Sequence, residues 1–450
     1  MKILIAPWGW PESYKKATYS FEGNELPSNT STGVLKKALS PDHTILILQD
    51  SLAVYNPEIF KLGTYKKLVQ SLRNFLVEKF ISKEEYLPNF NRDKDEVFIS
   101  PNVGAFTNRD RNNPAKIIIK GKMSDYYYWI FYNLSRFIID KSLDAEEVTL
   151  ILDTSHGLNF MPYLTFSALY NIGAVLSLKF KNRLKLKIYN ADPYIQESPN
   201  LEINLVRELY PKFQMTLKFK PQGFLPLKVN KNIVIQECLA NLSKNIQNSF
   251  RKHKKLYKEI FLPFLGSFTQ GIVHGILHFF PDDTQELEDN IFNLYNSKIQ
   301  ISREEQDCFL NIFRKLYFTD FFEAVVYVRN LRKIMESMEI SNKKEANLKE
   351  LRQWAEKLYE EFPVIYARTI DEIDNMKKIL PKKAIPCGKW NPFGNCTNGI
   401  SIHKRNFFAH AGLSENSIEI KKDNNDFQVR FCKHAISNIL NYLKETVSQS

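Results

Sequence analysis

Short apolar runs alternate with longer helical patterns over the first half of this 450-residue chain, and this alternation limits the possible folds more than any other feature. Each run is rich in Ile, Leu or Val and long enough for one buried strand. Strands separated by helices favour a mainly parallel sheet, because a parallel crossover needs a helix-length connection. We therefore predict a Rossmann-like α/β fold for this half. The predicted strands are Lys2–Pro7, His43–Leu48, Val97–Ser100, Lys116–Ile119, Val148–Leu152 and Lys185–Tyr189.

Two loops that follow predicted strands are candidates for ligand binding. In parallel sheets, ligands bind beyond the carboxyl ends of the strands. One loop covers residues 8–32 and the other residues 153–159, and both are rich in hydroxyl and amide side chains. Trp8, Trp10 and Tyr14 in the first loop are suited to stacking on bases.

Simpler explanations remain open for the same residues. The run Ser28–Thr32 is equally consistent with capping of the helix that follows it, and His156 with an ordinary turn residue. No G-x-G-x-x-G pattern follows the first strand and the sequence contains no P-loop motif, so a dinucleotide cofactor is poorly supported.

Helical patterns dominate the chain from Asn232 onward. His274 and His278 have the i, i+4 spacing that can bind zinc, but no Glu or Cys completes a ligand set, so we expect them to be packing residues. The basic run Lys252–Lys258 is expected to be a solvated face, with guidance of RNA as the alternative. The predicted helices include 233–250, 256–280, 285–295, 303–318, 321–338, 348–361 and 370–379, and residues 417–431 are predicted to form a hairpin.

The stretch Arg405–Gly412 contains the residues of the second half that are best suited to catalysis. Arg405 is a permanent cation suited to phosphate, and a histidine such as His410 can exchange protons near neutral pH. We predict Asn406 as the N-cap of a helix, which places Arg405 just before the helix and His410 near its electropositive start. On the residues alone, a surface pair or a packed histidine is the more ordinary explanation. One Arg and one His are few for an active site, so we expect two copies of the site to meet at a two-fold axis.

The composition indicates the partner class and the compartment only broadly. A formal net charge of +12 and a pI near 9.1 favour a polyanionic partner without identifying it. Met1 and Lys2 run directly into a strand, and no uninterrupted apolar stretch is long enough for a bilayer, so we expect no signal peptide and a cytoplasmic protein. Cys387 and Cys396 are expected to be free thiols; a disulfide is the alternative if the source is a hyperthermophile.

Two motifs resemble one known family. The run Asp153–Pro162 (DTSHGLNFMP), together with the opening Ala6–Gly9 (APWG), resembles the CARF domain of CRISPR-associated CARF–HEPN ribonucleases, the Csx-type ancillary effectors of type III systems. The run Arg405–Gly412 (RNFFAHAG) resembles the signature of HEPN ribonucleases. The resemblance implies an α/β Rossmann-like CARF domain over residues 1–205, an all-α helix-turn-helix-like insertion over 206–330 and a mainly α HEPN domain over 331–450.

The resemblance also implies an activity. The CARF domain would bind a cyclic oligoadenylate, with cyclic tetra-adenylate as the best match to a two-fold dimer, and the HEPN domain would cut single-stranded RNA without a metal. In a homodimer or an assembly of dimers, His410 would assist proton transfer, Arg405 would stabilise the charged transition state and Asn406 would position Arg405 or the phosphate, leaving a 2′,3′-cyclic phosphate. The residues implied to bind the activator are Trp8, Gly9, Trp10, Asn29, Thr30, Ser31, Thr32, Asp153, Thr154, Ser155, His156, Gly157 and Asn159.

Two other functions remain open from the sequence. One is a ligand-responsive, nucleic-acid-binding transcriptional regulator with a CARF sensor and a helix-turn-helix reader. The other is an enzyme that acts on a small nucleotide in a Rossmann-like site. The Arg405–His410 pair argues against the regulator, which has no need of a proton-transfer group.

Overall fold

The computed structural model describes residues 1–109, 114–194, 200–214, 225–304, 308–394, 402–423 and 426–448. It divides into two compact units. The first comprises Met1–Phe213, Pro226–Ile246 and Leu287–Glu323, and the second comprises Gln214–Leu225, Gln247–Glu286 and Ala324–Ser450. Much of the predicted insertion over residues 206–330 therefore belongs to the same compact unit as the N-terminal half.

The first unit contains the strands β1 to β14. In chain order they are β1 (Lys2–Pro7), β2 (Ala17–Phe21), β3 (Asn24–Ser28), β4 (His43–Gln49), β5 (Asp95–Ser100), β6 (Gly104–Asn108), β7 (Ala115–Lys120), β8 (Val148–Asp153), β9 (Leu184–Ala191), β10 (Asn200–Leu209), β11 (Leu227–Val229), β12 (Ile299–Glu304), β13 (Phe309–Arg314) and β14 (Leu316–Phe318). The second unit contains β15 (Ala346–Asn347), β16 (Asn391–Pro392), β17 (Ile418–Asp423) and β18 (Asp426–Phe431).

The helices occupy both units. In chain order they are α1 (Ser31–Leu39), α2 (Tyr65–Leu76), α3 (Ser124–Ser142), α4 (Phe160–Phe180), α5 (Gln236–Phe250), α6 (His253–Leu256), α7 (Leu262–Thr269), α8 (Val273–His278), α9 (Gln285–Ser297), α10 (Asp320–Ser337), α11 (Leu348–Tyr359), α12 (Pro363–Ile379), α13 (Lys404–Ala409) and α14 (Ile436–Ser448).

The predicted parallel sheet is confirmed for five of its six predicted strands, whereas the predicted strand Lys116–Ile119 belongs to a second sheet. The main sheet has the order β3-β2-β10-β9-β8-β1-β4-β5, and its five strands from β9 to β5 are parallel. Ile3, Leu4 and Ile5 of the central strand β1 are fully buried, as expected for a strand covered on both faces. The chain leaves β1 toward β4 on one side, and β8 lies on the other side. The space beyond the carboxyl ends of β1 and β8 is therefore the switch point where such sheets bind ligands.

Residues 299–318 correct the prediction of an all-α insertion. The sequence pattern predicts a helix over 303–318, but β12, β13 and β14 occupy this region. In β13, buried and half-buried residues alternate, which is the period of a strand with one covered face. This strand pairs in parallel with β7, about 190 residues earlier in the chain, in a second sheet of order β12-β13-β7-β6. The helix-turn-helix character of the insertion stays a prediction.

Helix α4 differs from the expectation that no apolar stretch could span a bilayer. The helical segment Phe160–Arg183 is long and apolar enough to do so by length and composition. In the fold, 61% of its most apolar stretch is buried inside the protein, which is typical of a helix that covers a sheet in a core.

The second unit is mainly helical, with a small antiparallel sheet. The predicted hairpin is confirmed, because β17 and β18 pair in antiparallel register from Ile418 opposite Phe431 to Asp423 opposite Asp426. The predicted helix 256–280 is interrupted at Gly271, whose φ of +64° lies in the left-handed region. Cys387 is exposed. Cys396 and part of the predicted loop 382–402 lie outside the described residues. The expectation that Cys387 and Cys396 are free thiols therefore stays a prediction.

His274 and His278 pack on the aromatic ring of Phe431, with ring centroids 4.4 and 5.2 Å away. Both ring nitrogens of His274, and Nδ1 of His278, are buried without a hydrogen-bond partner in the structure. Burial lowers the pKa of His274 to about 3, and the neighbouring His278 and the Lys344 ammonium add to this shift. Burial lowers the pKa of His278 to about 4, and Lys344 adds to that shift. In the described ranges, no group of three or more His, Cys, Asp or Glu side chains is placed to hold a metal ion.

This histidine pair predicts a loss of stability in acid. Below the unfolded-state pKa of about 6.5, each histidine binds a proton in the unfolded chain but stays neutral in the folded protein. The contribution of the neutral pair to stability is therefore fully present above pH 6.5 and is lost as the pH falls toward 4. The free energy of unfolding should drop by on the order of 2 kcal/mol per histidine between pH 7.5 and pH 5. Urea titrations of His274→Leu should show a smaller drop than the wild type, and the exposed-site control His434→Leu should keep the full drop. An equal drop in all three proteins would contradict this assignment.

Candidate functional site

The two predicted ligand loops meet around the buried carboxylate of Asp153 at the end of β8. Its Oδ2 accepts hydrogen bonds from the hydroxyls of Ser31 at 2.7 Å and Thr32 at 2.6 Å. Its Oδ1 accepts from the backbone N–H and the hydroxyl of Ser155 at 3.0 and 2.6 Å. These four bonds satisfy a carboxylate that is 1% exposed. Asp153 therefore ties the start of α1 to the loop after β8.

His156 joins the same two loops through its ring and its carbonyl. The backbone N–H of Ser31 donates to Nε2 at 3.0 Å, which leaves the ring proton on Nδ1 of the neutral imidazole. Burial lowers the pKa of His156, and the Asp153 carboxylate opposes that shift. The carbonyl of His156 accepts from Gly9 N at 2.8 Å and from Tyr14 Oη at 3.1 Å. His156 is thus a neutral, fixed group in the wall of the site.

A pocket of about 340 Å³ opens beside His156 within the first unit, a volume in the range of small-molecule sites. Its wall combines the phenol rings of Tyr14 and Tyr19 with a cation, Lys15, and a carboxylate, Asp192. Sequence reasoning missed Lys15, Asn190 and Asp192. Asn190 and Asp192 mark the carboxyl end of β9, the strand parallel to β8, and ligands bind beyond the carboxyl ends of parallel strands. The lining residues are Ser13, Tyr14, Lys15, Tyr19, Asn29, Ser155, His156, Asn190, Ala191, Asp192, Pro193, Tyr194 and Leu201.

Only three of the predicted activator-binding residues, Asn29, Ser155 and His156, line this pocket. Trp8 is fully buried and its indole N–H donates to Thr32 Oγ1 at 2.9 Å, so its ring is not available to stack on a ligand. Trp10 stacks instead on Tyr55, with ring centroids 3.8 Å apart.

The remaining predicted residues build the loops around the pocket. Thr30 caps α1 by accepting from Gly33 N, which is the capping role left open for this run. Thr154 Oγ1 donates to the carbonyl of Tyr189 at 2.9 Å. A Cβ at Gly9 would lie 3.3 Å from the His156 carbonyl, and one at Gly157 would lie 3.1 Å from both Pro7 and Pro162. Asn159 is exposed and immediately precedes α4.

The Arg405–His410 stretch forms the short helix α13 in the second unit, but its ends differ from the prediction. The helix begins at Lys404 after His403, whose side chain makes no capping hydrogen bond. Asn406 therefore lies inside the helix rather than at its N-cap. His410 is the C-cap residue, so the predicted position of His410 near the helix N-terminus is wrong. Arg405, Asn406 and His410 are exposed, whereas Phe407 between them is fully buried and anchors the helix.

The small residues after His410 end the helix. Ala411 N donates to Phe408 O at 3.2 Å, and Gly412 N donates to Phe407 O at 2.8 Å, which is the pattern of a Schellman motif. Ala411 and Gly412 have φ values of +47° and +78°. A Cβ at Gly412 would lie 2.5 Å from Ile272 Cγ2, so only glycine fits there.

Glu372 on α12 is a direct side-chain partner of this stretch that the sequence did not reveal. Its Oε2 lies 3.0 Å from His410 Nδ1, and the exposed fractions are 16% for the Glu372 side chain and 48% for the His410 side chain. The two residues are 38 positions apart in the chain, so no local pattern signals the contact.

Comparisons with known proteins match both halves of the chain. The model described as the CARF domain of the CRISPR system endoribonuclease Csx1 matches residues 3–193, and the model described as its HEPN domain matches residues 333–433. The CRISPR system endoribonuclease Csx1 of Methanocaldococcus jannaschii is 29% identical over 432 residues, which cover 93% of this chain and 86% of that protein. A solved structure, Enterococcus italicus Csm6 bound to cyclic hexa-2′-fluoro-hexa-dAMP, aligns over 99% of this chain and 93% of its own at 9% identity and with a TM-score of 0.22.

Proposed function

Because this chain belongs to the CRISPR-associated CARF–HEPN ribonucleases, we propose that it is an endoribonuclease that a cyclic oligoadenylate switches on and that cuts single-stranded RNA without a metal. The observation that carries the proposal is the α13 site. An exposed arginine lies on one short helix and an exposed histidine caps its end, and a carboxylate contacts the histidine. These are groups for binding a phosphodiester and for moving a proton next to it. We expect the protein to act in the cytoplasm, on RNA that meets it there.

The proposed reaction uses the 2′-hydroxyl of the RNA as its nucleophile. His410 removes the 2′-hydroxyl proton while the 2′-oxygen bonds to the adjacent phosphorus. The bond from phosphorus to the 5′-oxygen breaks, and that oxygen takes a proton from the second His410 of a two-fold dimer. Arg405 neutralises the charge that develops on the phosphate oxygens, and Asn406 positions Arg405 or the phosphate. The products are a 2′,3′-cyclic phosphate and a 5′-hydroxyl.

The pocket beside His156 is the proposed activator site. Tyr14 offers an aromatic face for adenine, Lys15 offers a cation for phosphate, and Asn29 and Ser155 offer hydrogen-bonding groups. A ring with two-fold symmetry, such as cyclic tetra-adenylate, would engage the same pocket on both subunits of a homodimer. Its differential affinity for two arrangements of the dimer would then control cleavage.

The test is a cleavage assay on the wild-type protein with an end-labelled single-stranded RNA. We expect cleavage with cyclic tetra-adenylate, little without it, an unchanged rate in EDTA, and fragments that end in a 2′,3′-cyclic phosphate. Loss of cleavage in EDTA would overturn the metal-independent mechanism, and full cleavage without activator would overturn the switch. Tight duplex binding without RNA loss would instead identify a regulator.

A further inference from the structure

The geometry points to Glu372 as the positioning residue that fixes the ring orientation and tautomer of His410, so that Nε2 is the atom that exchanges protons with RNA. This inference rests on the proposed function of the α13 site and adds a residue to it. Glu372 belongs to α12, whereas the proposed catalytic residues Arg405 and Asn406 belong to α13 and His410 is the C-cap of that helix.

The contact itself decides which ring nitrogen carries the proton. Glu372 Oε2 lies 3.0 Å from His410 Nδ1. A carboxylate can only accept a hydrogen bond, so Nδ1 must be the donor. In the neutral ring the lone pair is then on Nε2, which points away from Glu372. Partnership with a carboxylate is a common way to orient a functional histidine.

The burial of the two partners supports an orienting role. The Glu372 side chain is only 16% exposed, while that of His410 is 48% exposed. The acceptor is therefore held in the protein, and the ring that it holds is open to a substrate. An exposed surface pair would have two mobile partners and would contribute little.

A turn at Gly271 and Ile272 packs against both α12 and Gly412, two residues after His410. Thr369, three residues before Glu372, donates from Oγ1 to the carbonyl of Gly271 at 3.2 Å. A Cβ at Gly271 would overlap the Ile365 side chain of α12, so the turn lies directly against that helix. The next residue, Ile272, contacts Gly412, where a Cβ would lie 2.5 Å from its Cγ2.

Two glycines thus permit the close approach that brings Glu372 to hydrogen-bonding distance. Gly271 has a φ of +64° and Gly412 a φ of +78°, and both are in the left-handed region that favours glycine. The turn packs between α12 and the end of α13. This packing, rather than the attraction between the two groups, fixes the positions of the Glu372 carboxylate and the His410 imidazole. This preorganisation is what an active-site histidine requires.

The test compares two neighbouring carboxylates of α12. Glu372→Ala should lower kcat by about 10–100-fold, the range found when a carboxylate that orients a metal-binding histidine is removed, with little change in KM. Glu372→Gln keeps an acceptor oxygen and should lie between Ala and the wild type. Asp371→Ala removes the same charge from an exposed position one residue away and should keep wild-type kcat.

A spectroscopic readout separates positioning from a general effect on folding. The chain has eight histidines, so two-bond ¹H–¹⁵N spectra of ¹⁵N-histidine-labelled protein can identify His410 as the signal that is lost in His410→Ala. At about pH 8.5, where an ordinary imidazole is neutral, the wild type should show Nδ1 protonated. Glu372→Ala should shift His410 toward the Nε2-protonated tautomer and leave the other histidine signals in place.

The outcomes distinguish this inference from the proposed function. A wild-type protein that cuts no RNA would refute the function, while the spectra would still report the tautomer. Cleavage with an unchanged kcat and tautomer in Glu372→Ala would refute the role of Glu372 alone. An equal loss of kcat in Glu372→Ala and Asp371→Ala would also refute it, because it would show an effect of net charge.

Discussion

His410→Ala should abolish nearly all RNA cleavage, with a fall in kcat of about 10²–10⁴-fold, the range for loss of a general acid–base. Arg405→Ala should lower kcat by about 10²–10³-fold, because the developing charge on the phosphate loses its stabilising cation. Both side chains are exposed, so neither change should disturb the core around Phe407. The measurement is single-turnover cleavage of a labelled RNA at saturating cyclic tetra-adenylate.

Two control variants make this result specific. His434 is exposed in the same unit, and His434→Ala should cleave at the wild-type rate. Arg405→Lys keeps the charge without the planar fork of donors and should recover only part of the activity. If His410→Ala retained a rate within a few-fold of the wild type with unchanged thermal unfolding, α13 would not be the catalytic site.

His156→Ala should raise the concentration of cyclic tetra-adenylate needed for half-maximal cleavage by about 10–100-fold. It removes a lining group of the pocket and also leaves the Ser31 N–H without its acceptor. A hydrogen bond to a charged group such as a phosphate contributes about 1.5–3 kcal/mol, and 1.4 kcal/mol corresponds to about tenfold in affinity. The maximal rate at saturation should change much less, because the pocket and the α13 site are separate sites.

Asn159→Ala is the matched comparison in the same loop. The sequence alone predicts a similar effect for Asn159, but the structure shows an exposed side chain that does not line the pocket. We therefore expect a shift of less than about threefold for this variant, which corresponds to under 1 kcal/mol. Activator titrations followed by both binding and cleavage provide the measurement. Unchanged affinity and activation in His156→Ala would remove this pocket from the sensor.

Local periodicity in the sequence determined much of the fold. The apolar runs of β1, β4 and β8 are short and continuous, which is typical of strands buried on both faces. The helices between them require parallel strands, and parallel strands place their carboxyl ends at one edge of the sheet. Residues 8–32 and residues 153–159 come together at this edge, where Ser31, Thr32 and Ser155 all bond to Asp153.

Side-chain direction does not follow from periodicity in the same way. Trp8 follows β1, and its side chain could face either a ligand or the core. It faces the core because the loop packs against α1, where the Trp8 indole donates a hydrogen bond to Thr32. The predicted ends of α13 were also wrong. Asn406 is a good capping residue in isolation, but the helix starts three residues earlier, with His403 at the N-cap. The buried Phe407 and the Schellman turn at Ala411 and Gly412 fix it there.

Contacts between distant segments were decided by tertiary structure alone. The pairing of β13 with β7 joins residues about 190 positions apart, and neither strand signals its partner. Glu372 reaches His410 across 38 positions because Gly271 and Gly412 allow three segments to pack closely. Sequence periodicity reflects which face of an element is buried, and so it determined the elements and the edge where loops gather. Which side chains then meet depends on close packing between elements, a property that no single segment carries.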